Sequence, residues 1–283
     1  MLSANSAARH PKALDTHAAP HQTAQVSTEL SIEIDSLGKL YGDFPALSGV
    51  SLGVRRGEVF GLLGPNGAGK TTTIRILMGI LAQNSGRARI EGLDCLTDRA
   101  ELKRCVGYVP DTPVFYDYLR GAELLDFVGQ MHGIPRAELA RRSELLLHEF
   151  ELEDAADDFV ENYSLGMKKK MALALALVHE PRLLILDEPT TGLDPSSSRA
   201  IRLLIQRWAE QGRTVLLSTH LLDMAERLCH RVAIVQRGRL LAVGAPSELV
   251  AQAQLVIGKP ASLEDAFVTL TGSAPRDPTV PTA

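Results

Sequence analysis

The chain has 283 residues, of which 45% are hydrophobic and 23% charged, with a formal net charge of −4. That is enough apolar content to fill a sizeable core in one large or two small domains, and it provides no overall basic field for nonspecific nucleic-acid binding. Three cysteines, Cys95, Cys105 and Cys229, with no Cys-x-x-Cys spacing exclude a disulfide framework or a zinc site and fit a reducing cytosol.

Residues 1–29 are rich in Ala, Ser, Thr and His and lack the apolar core of a secretory signal, so a disordered leader is expected there, with His10, His17 and His21 solvated and not metal ligands. From Leu30 the texture changes. Ile32 and Ile34 alternate with polar residues, and Leu47, Val50, Leu52 and Val54 do much the same after a turn, which predicts antiparallel strands. Glu58 to Leu63 reads as a buried strand that runs into a glycine-rich loop, and helical spacing follows over Thr71 to Leu81. Further strands are predicted at Val106–Val109, Leu183–Asp187, Thr214–Ser218, Arg231–Val235 and Leu240–Val243, with helices between most of them, which implies an α/β domain with a largely parallel sheet.

From about 111 to 181 the strand signals vanish, while Ala122–His132, Arg136–Glu149 and Leu165–His179 read as helices, so a helical subdomain is inserted there. Ser262–Leu270 reads as a last amphipathic helix, and the Pro-rich 273–283 as a flexible tail. One cassette over 30–272 is expected, because no internal repeat is visible. The longest apolar run, Met171 to Val178, falls well short of the roughly 20 residues a membrane-spanning helix needs.

The loop Gly64-Pro65-Asn66-Gly67-Ala68-Gly69-Lys70-Thr71-Thr72 has the pattern of a phosphate cradle. Its glycines let backbone N–H groups curl around phosphates, Lys70 reaches the β and γ oxygens, and the Thr71 hydroxyl ligates Mg²⁺. The helix behind it points its positive end at the same anion. The strand Leu183–Asp187 then delivers two adjacent acids. Asp187 is suited to hold magnesium through water, and Glu188 to polarise an attacking water as general base. ATP and Mg²⁺ are the ligands this combination predicts.

The order of motifs from about Leu30 to Thr271 resembles the nucleotide-binding subunits of ATP-binding cassette (ABC) transporters: a P-loop NTPase core with an antiparallel β subdomain and an inserted helical subdomain. Tyr163-Ser164-Leu165-Gly166-Met167-Lys168 stands where the family places its Leu-Ser-Gly-Gly-Gln signature. There the resemblance implies that Ser164, a favoured helix cap, and Gly166 approach the γ-phosphate held by a second subunit. A single cassette therefore implies a homodimer or heterodimer. Leu165 and Met167 depart from the family's glycine and glutamine.

Thr191-Gly192-Leu193-Asp194 matches the family's dimer-contacting loop, and His220, after Ser218-Thr219, matches its switch histidine. Tyr41 stands where an aromatic ring stacks on adenine, with core packing as the alternative. Asp111 occupies the place of the family's glutamine sensor and could ligate magnesium or a water, but it cannot donate an amide hydrogen bond. Val114, Phe115, Tyr116 and Tyr118 form an apolar cluster that could receive a membrane partner's helix or pack within the insert. Lys168, Lys169 and Lys170 read as a solvated helix face, with a partner or lipid strip as the alternative.

By resemblance the chain hydrolyses ATP at the cytoplasmic face of the membrane to power a separate permease. Export is the favoured direction, and no nucleic-acid partner is expected. A soluble cassette of translation or repair, or a regulatory subunit that binds ATP without turnover, are the rival readings.

Overall fold

A computed structural model describes residues 30–116 and 118–272. The leader expected over 1–29, with its three histidines, and the tail expected over 273–283 lie outside the described residues. The chain opens with β1 (Leu30–Tyr41), β2 (Phe44–Arg55), β3 (Val59–Leu63), α1 (Lys70–Leu77), β4 (Ser85–Ile90), β5 (Leu93–Asp94), α2 (Arg99–Cys105) and β6 (Val106–Val109). Three helices follow: α3 (Gly121–Met131), α4 (Arg136–Glu149) and α5 (Leu165–Leu177). The remainder is β7 (Leu183–Asp187), α6 (Pro195–Glu210), β8 (Thr214–Thr219), α7 (Leu222–Leu228), β9 (Arg231–Gln236), β10 (Arg239–Gly244), α8 (Pro246–Ile257) and α9 (Leu263–Thr271).

These strands build two sheets. An antiparallel one has the order β2-β1-β4-β5; the other has the order β10-β9-β3-β8-β7-β6, parallel throughout except where β10 joins its edge. The residues of β3, β7 and β8 are all buried, the continuous apolar pattern of strands covered on both faces. Side chains alternate across that sheet and divide the interior in two. Phe60, Leu62, Ile185 and Leu216 pack toward the antiparallel sheet with Ile32, Ile90 and Ile74. Val59, Leu63, Leu184 and Leu217 face the other core, built with α5, α6 and α7.

Between 111 and 181 the only β feature among the described residues is an isolated bridge, Arg120 to Phe159. In this segment α3 and α4 pack closely because Gly129 presses against Leu139. Helix α5 is buried on nearly every side from Met171 to Val178, so its lack of an amphipathic stripe reflects a central position.

Some sequence expectations are corrected. The helix expected over Thr71–Leu81 stops at Leu77, because Gly79 turns left-handed (φ +64) and ends it. The expected strand pattern also omitted β4 and β5, which complete the antiparallel sheet. Only Ala88 and Ile90 of β4 are buried, too few to give an alternating signal.

Candidate functional site

In the run β3-β8-β7-β6 the strands point the same way, so the segments leaving their C-terminal ends converge at one edge, the usual place for a ligand in an open parallel sheet. There the glycine loop follows β3, His220 follows β8, Glu188 follows β7 and Asp111 lies just beyond β6. An open cleft of about 240 Å³ is lined by Pro65 to Thr72, Asp111 and Glu188, with Tyr41, Phe44 and Ala46 supplied by the antiparallel sheet.

Two glycines shape the loop. Gly64 leaves no room for a side chain, since a Cβ there would overlap the Val235 carbonyl oxygen. Gly69, at φ +109, is the N-cap of α1 in a conformation other residues rarely adopt, and no side chain caps that helix. The first N–H groups of α1 are thus left for a ligand.

Lys70 is nearly buried and bends back on the loop, donating to the Gly64 carbonyl at 2.7 Å and the Pro65 carbonyl at 3.4 Å. Its Nζ also lies 3.2 Å from Glu188 Oε1. That contact is an ion pair without hydrogen-bond geometry, which leaves Oε1 a buried acceptor with no hydrogen bond.

Glu188 Oε2 is occupied, accepting from Thr191 Oγ1 at 3.1 Å and from His220 Nδ1 at 2.9 Å. An ionised carboxylate can only accept, so the imidazole proton sits on Nδ1. Burial pushes the Glu188 carboxyl up, but the His220 hydrogen bond and the Lys70 charge outweigh it and hold it down at about 2. The Glu188 backbone is left-handed, at φ +47, a conformation that costs a non-glycine residue on the order of 1–3 kcal/mol and so needs support from its neighbours.

Asp187 is buried beside it. Its Oδ1 accepts a short 2.5 Å bond from Ser218 Oγ, the same hydroxyl that receives the Glu188 N–H at 3.1 Å. Burial pushes the Asp187 carboxyl up, assisted by the charges of Glu188 and Asp111 and opposed by hydrogen bonds from Ser218 and Thr71. The Asp187 carboxylate, hydrogen-bonded by Thr71 and repelled by the charges of Glu188 and Asp111, is one that a divalent cation would stabilise. Among the described residues no three His, Cys, Asp or Glu side chains form a metal-ligating group by themselves. The donor set fits Mg²⁺, which keeps waters and takes only one or two carboxylates plus phosphate oxygens.

Ser164 and Gly166 do not reach this cleft. Ser164 is the N-cap of α5, its Oγ accepting from the Met167 N–H at 3.2 Å, and it is exposed. Leu165 beside it is half exposed, while Gly166 faces Ser197 on α6. In the aromatic cluster after Asp111, Val114, Tyr116 and Tyr118 are largely exposed, whereas Phe115 packs on the core. Its two alternatives are therefore split between its members.

The solvated reading of Lys168–Lys170 is corrected for Lys169. Lys169 is only 3% exposed and donates to two backbone carbonyls, those of Glu188 at 3.0 Å and Thr191 at 2.7 Å. Lys168 reaches the Glu161 carbonyl, and Lys170 pairs with Glu151. Sequence reasoning also missed the Ser218 hydroxyl and Phe44.

A family model described as ABC transporter matches residues 47–191. The Nod factor export ATP-binding protein I of Paraburkholderia xenovorans (strain LB400) is 43% identical over 224 residues, covering 79% of this chain and 73% of that relative. The linearmycin resistance ATP-binding protein LnrL of Bacillus subtilis (strain 168) is 36% identical over 218 residues, covering 77% of this chain and 70% of LnrL. A solved ATP-binding subunit of an ABC transporter superposes with a TM-score of 0.78 at 36% identity, covering 85% of this chain and 99% of that one.

Proposed function

The chain belongs to the ABC transporter family, and we propose that it binds and hydrolyses ATP to drive export through a separate membrane permease. The observation that carries this reading is the Glu188 centre: a buried carboxylate, held by His220 and Thr191, with one oxygen free of hydrogen bonds at the mouth of a phosphate loop.

The residues divide the work. Main-chain N–H groups from Gly64 to Thr72 and the uncapped end of α1 receive the phosphates. Tyr41, with Phe44 beside it, offers a ring face to the base. Lys70 exchanges the Gly64 and Pro65 carbonyls for β- and γ-phosphate oxygens, and in doing so withdraws from Glu188. With that positive charge gone, Glu188 becomes a stronger base, and its Oε1 can take a hydrogen bond from the attacking water. His220 keeps the carboxylate aimed. Thr71 and Asp187, with Asp111 nearby, would hold Mg²⁺, which would supply neutralisation of phosphate charge.

Ser164 presents the N-terminus of α5 to solvent, with Gly166 partly buried behind it against Ser197. We assign them to the γ-phosphate of a second cassette, itself or a relative, arranged head to tail, so that each ATP is closed in by two chains and hydrolysis lets them part. Export is favoured by the relatives' names, which are of export and resistance proteins. No helix among the described residues is long and apolar enough to cross a membrane. The exposed Val114, Tyr116 and Tyr118 suit contact with a permease at its cytoplasmic side.

The test is to purify the tagged chain from its native membranes in mild detergent while assaying ATP turnover. Recovery with a polytopic membrane protein in near-equal amount supports the reading. Recovery with ribosomes or nucleic acid, or alone from a membrane extract, overturns the transport part of it.

A further inference from the structure

The turn from Glu188 to Thr191 carries the proposed general base and is strained at its first residue, where φ is +47. Pro189 follows and offers no N–H, so the turn has few local means of support. It closes through Thr191 N–H to the Glu188 carbonyl at 3.3 Å and Thr191 Oγ1 to Glu188 Oε2 at 3.1 Å. Among the described residues, only one side chain grips both of its ends. Lys169 Nζ donates to the Glu188 carbonyl at 3.0 Å and to the Thr191 carbonyl at 2.7 Å.

An ammonium buried to this degree is costly unless its charge and donors are compensated. Here the Asp111 and Glu188 carboxylates supply the opposing charge, and the turn supplies the acceptors. Lys169 stands on the second turn of α5, the helix whose first residues follow Ser164. One rigid element therefore carries both the exposed serine cap and the clamp on Glu188.

We propose that Lys169 is a positioning residue for hydrolysis: it clamps the Glu188–Thr191 turn across both carbonyls and so aims the Glu188 carboxylate, without touching the nucleotide. The proposal rests on Glu188 acting as the base. Lys169 lines no part of the nucleotide cleft, so its removal lowers turnover while leaving nucleotide affinity in place.

The experiment compares the full-length wild type, Lys169→Met, Lys169→Arg and, as a control on the same helix, Lys170→Met. It measures kcat and KM for ATP hydrolysis and the stoichiometry of binding of a fluorescent ATP analogue. Lys169→Met keeps the length of the stem and removes the donors. The expected result is a fall in kcat of about tenfold with KM within about twofold and full binding stoichiometry, a kcat at least partly regained in Lys169→Arg, and little change in Lys170→Met.

Wild-type kcat in a folded Lys169→Met overturns the proposal. So does a loss of binding stoichiometry that matches the loss of kcat and is no better in Lys169→Arg, because that is a folding role. If Lys169→Met is insoluble, Lys169→Gln is judged on the same split between kcat and KM. Lys70→Ala separates this from the wider reading: a wild type whose turnover survives Lys70→Ala defeats the ATPase assignment itself, whatever Lys169 does.

Discussion

Two helices of this chain begin with residues proposed to meet a phosphate, α1 that of its own nucleotide and α5 that of a second cassette, and they begin differently. Helix α1 starts from Gly69, left-handed and without any side-chain cap, inside a cleft that already contains Lys70, Thr71 and Glu188. Helix α5 starts from Ser164, which caps it through the Met167 N–H, at an exposed position away from the cleft. The first end is incomplete without a ligand; the second is satisfied alone. An anion should therefore find α1 in the single chain, whereas α5 can add its contact only when a second cassette brings a phosphate to it.

The largest effect expected on this contrast is at the α1 cleft. Glu188→Gln should lower ATP turnover by about 10²–10⁴-fold in a phosphate-release assay, because the proposed base is lost, while a fluorescent ATP analogue still binds. Equal losses of binding and turnover would place Glu188 in ligand binding instead.

The α5 end should respond more mildly and in another currency. Ser164→Ala is expected to reduce turnover severalfold to tenfold and to cost about 1 kcal/mol of stability through the lost cap, with the nucleotide affinity of the single chain unchanged. Wild-type turnover in this variant would remove the signature serine from the site. At the outer wall of the α1 cleft, Tyr41→Ala should raise KM for ATP by roughly threefold to tenfold, in line with a stacking contact of about 1 kcal/mol, and leave kcat nearly as it was. An unchanged KM would return Tyr41 to a packing role.

The smallest effect lies at the far end of α5, where His179 stacks on His132 with ring centroids 3.9 Å apart. Burial, with the charge of His132 next, depresses His179 from its ordinary value near 6.5 to about 4. The unfolded chain therefore binds a proton that the folded chain refuses, so stability is complete above pH 6.5 and falls as pH drops toward 4. After allowance for partial exposure the loss at pH 5 is about 1 kcal/mol, and a His179→Phe variant should lose less melting temperature between pH 7.5 and pH 5 than the wild type. Equal losses would show that His179 takes up its proton without cost.

The same contrast explains what could be read from the sequence. The α1 cleft is written in contiguous residues: a buried strand, Gly64 to Thr72, and a second strand ending in Asp187 and Glu188. A glycine loop and paired acids have few other physical reasons to follow buried strands, so their convergence was legible, as were the parallel core and the helical segment. What was not legible depends on contacts between distant segments. Ser218 joins Asp187 to the Glu188 N–H across neighbouring strands, and Phe44 joins the cleft from the antiparallel sheet. Lys169 was misread as solvated because a triple-lysine run looks alike whether its middle member points to water or to the carbonyls of a turn. Strand β4 escaped because two buried residues in six make no pattern.

The most direct test of a site shared between α1 of one cassette and α5 of another is light scattering on the Glu188→Gln chain, mixed with any second cassette chain that co-purifies with it. A particle of two cassettes with ATP and magnesium, returning to single cassettes with ADP and failing to form when Ser164→Arg is added, is the predicted result. Single cassettes under ATP, or a pair indifferent to both nucleotide and Ser164, would contradict the shared site.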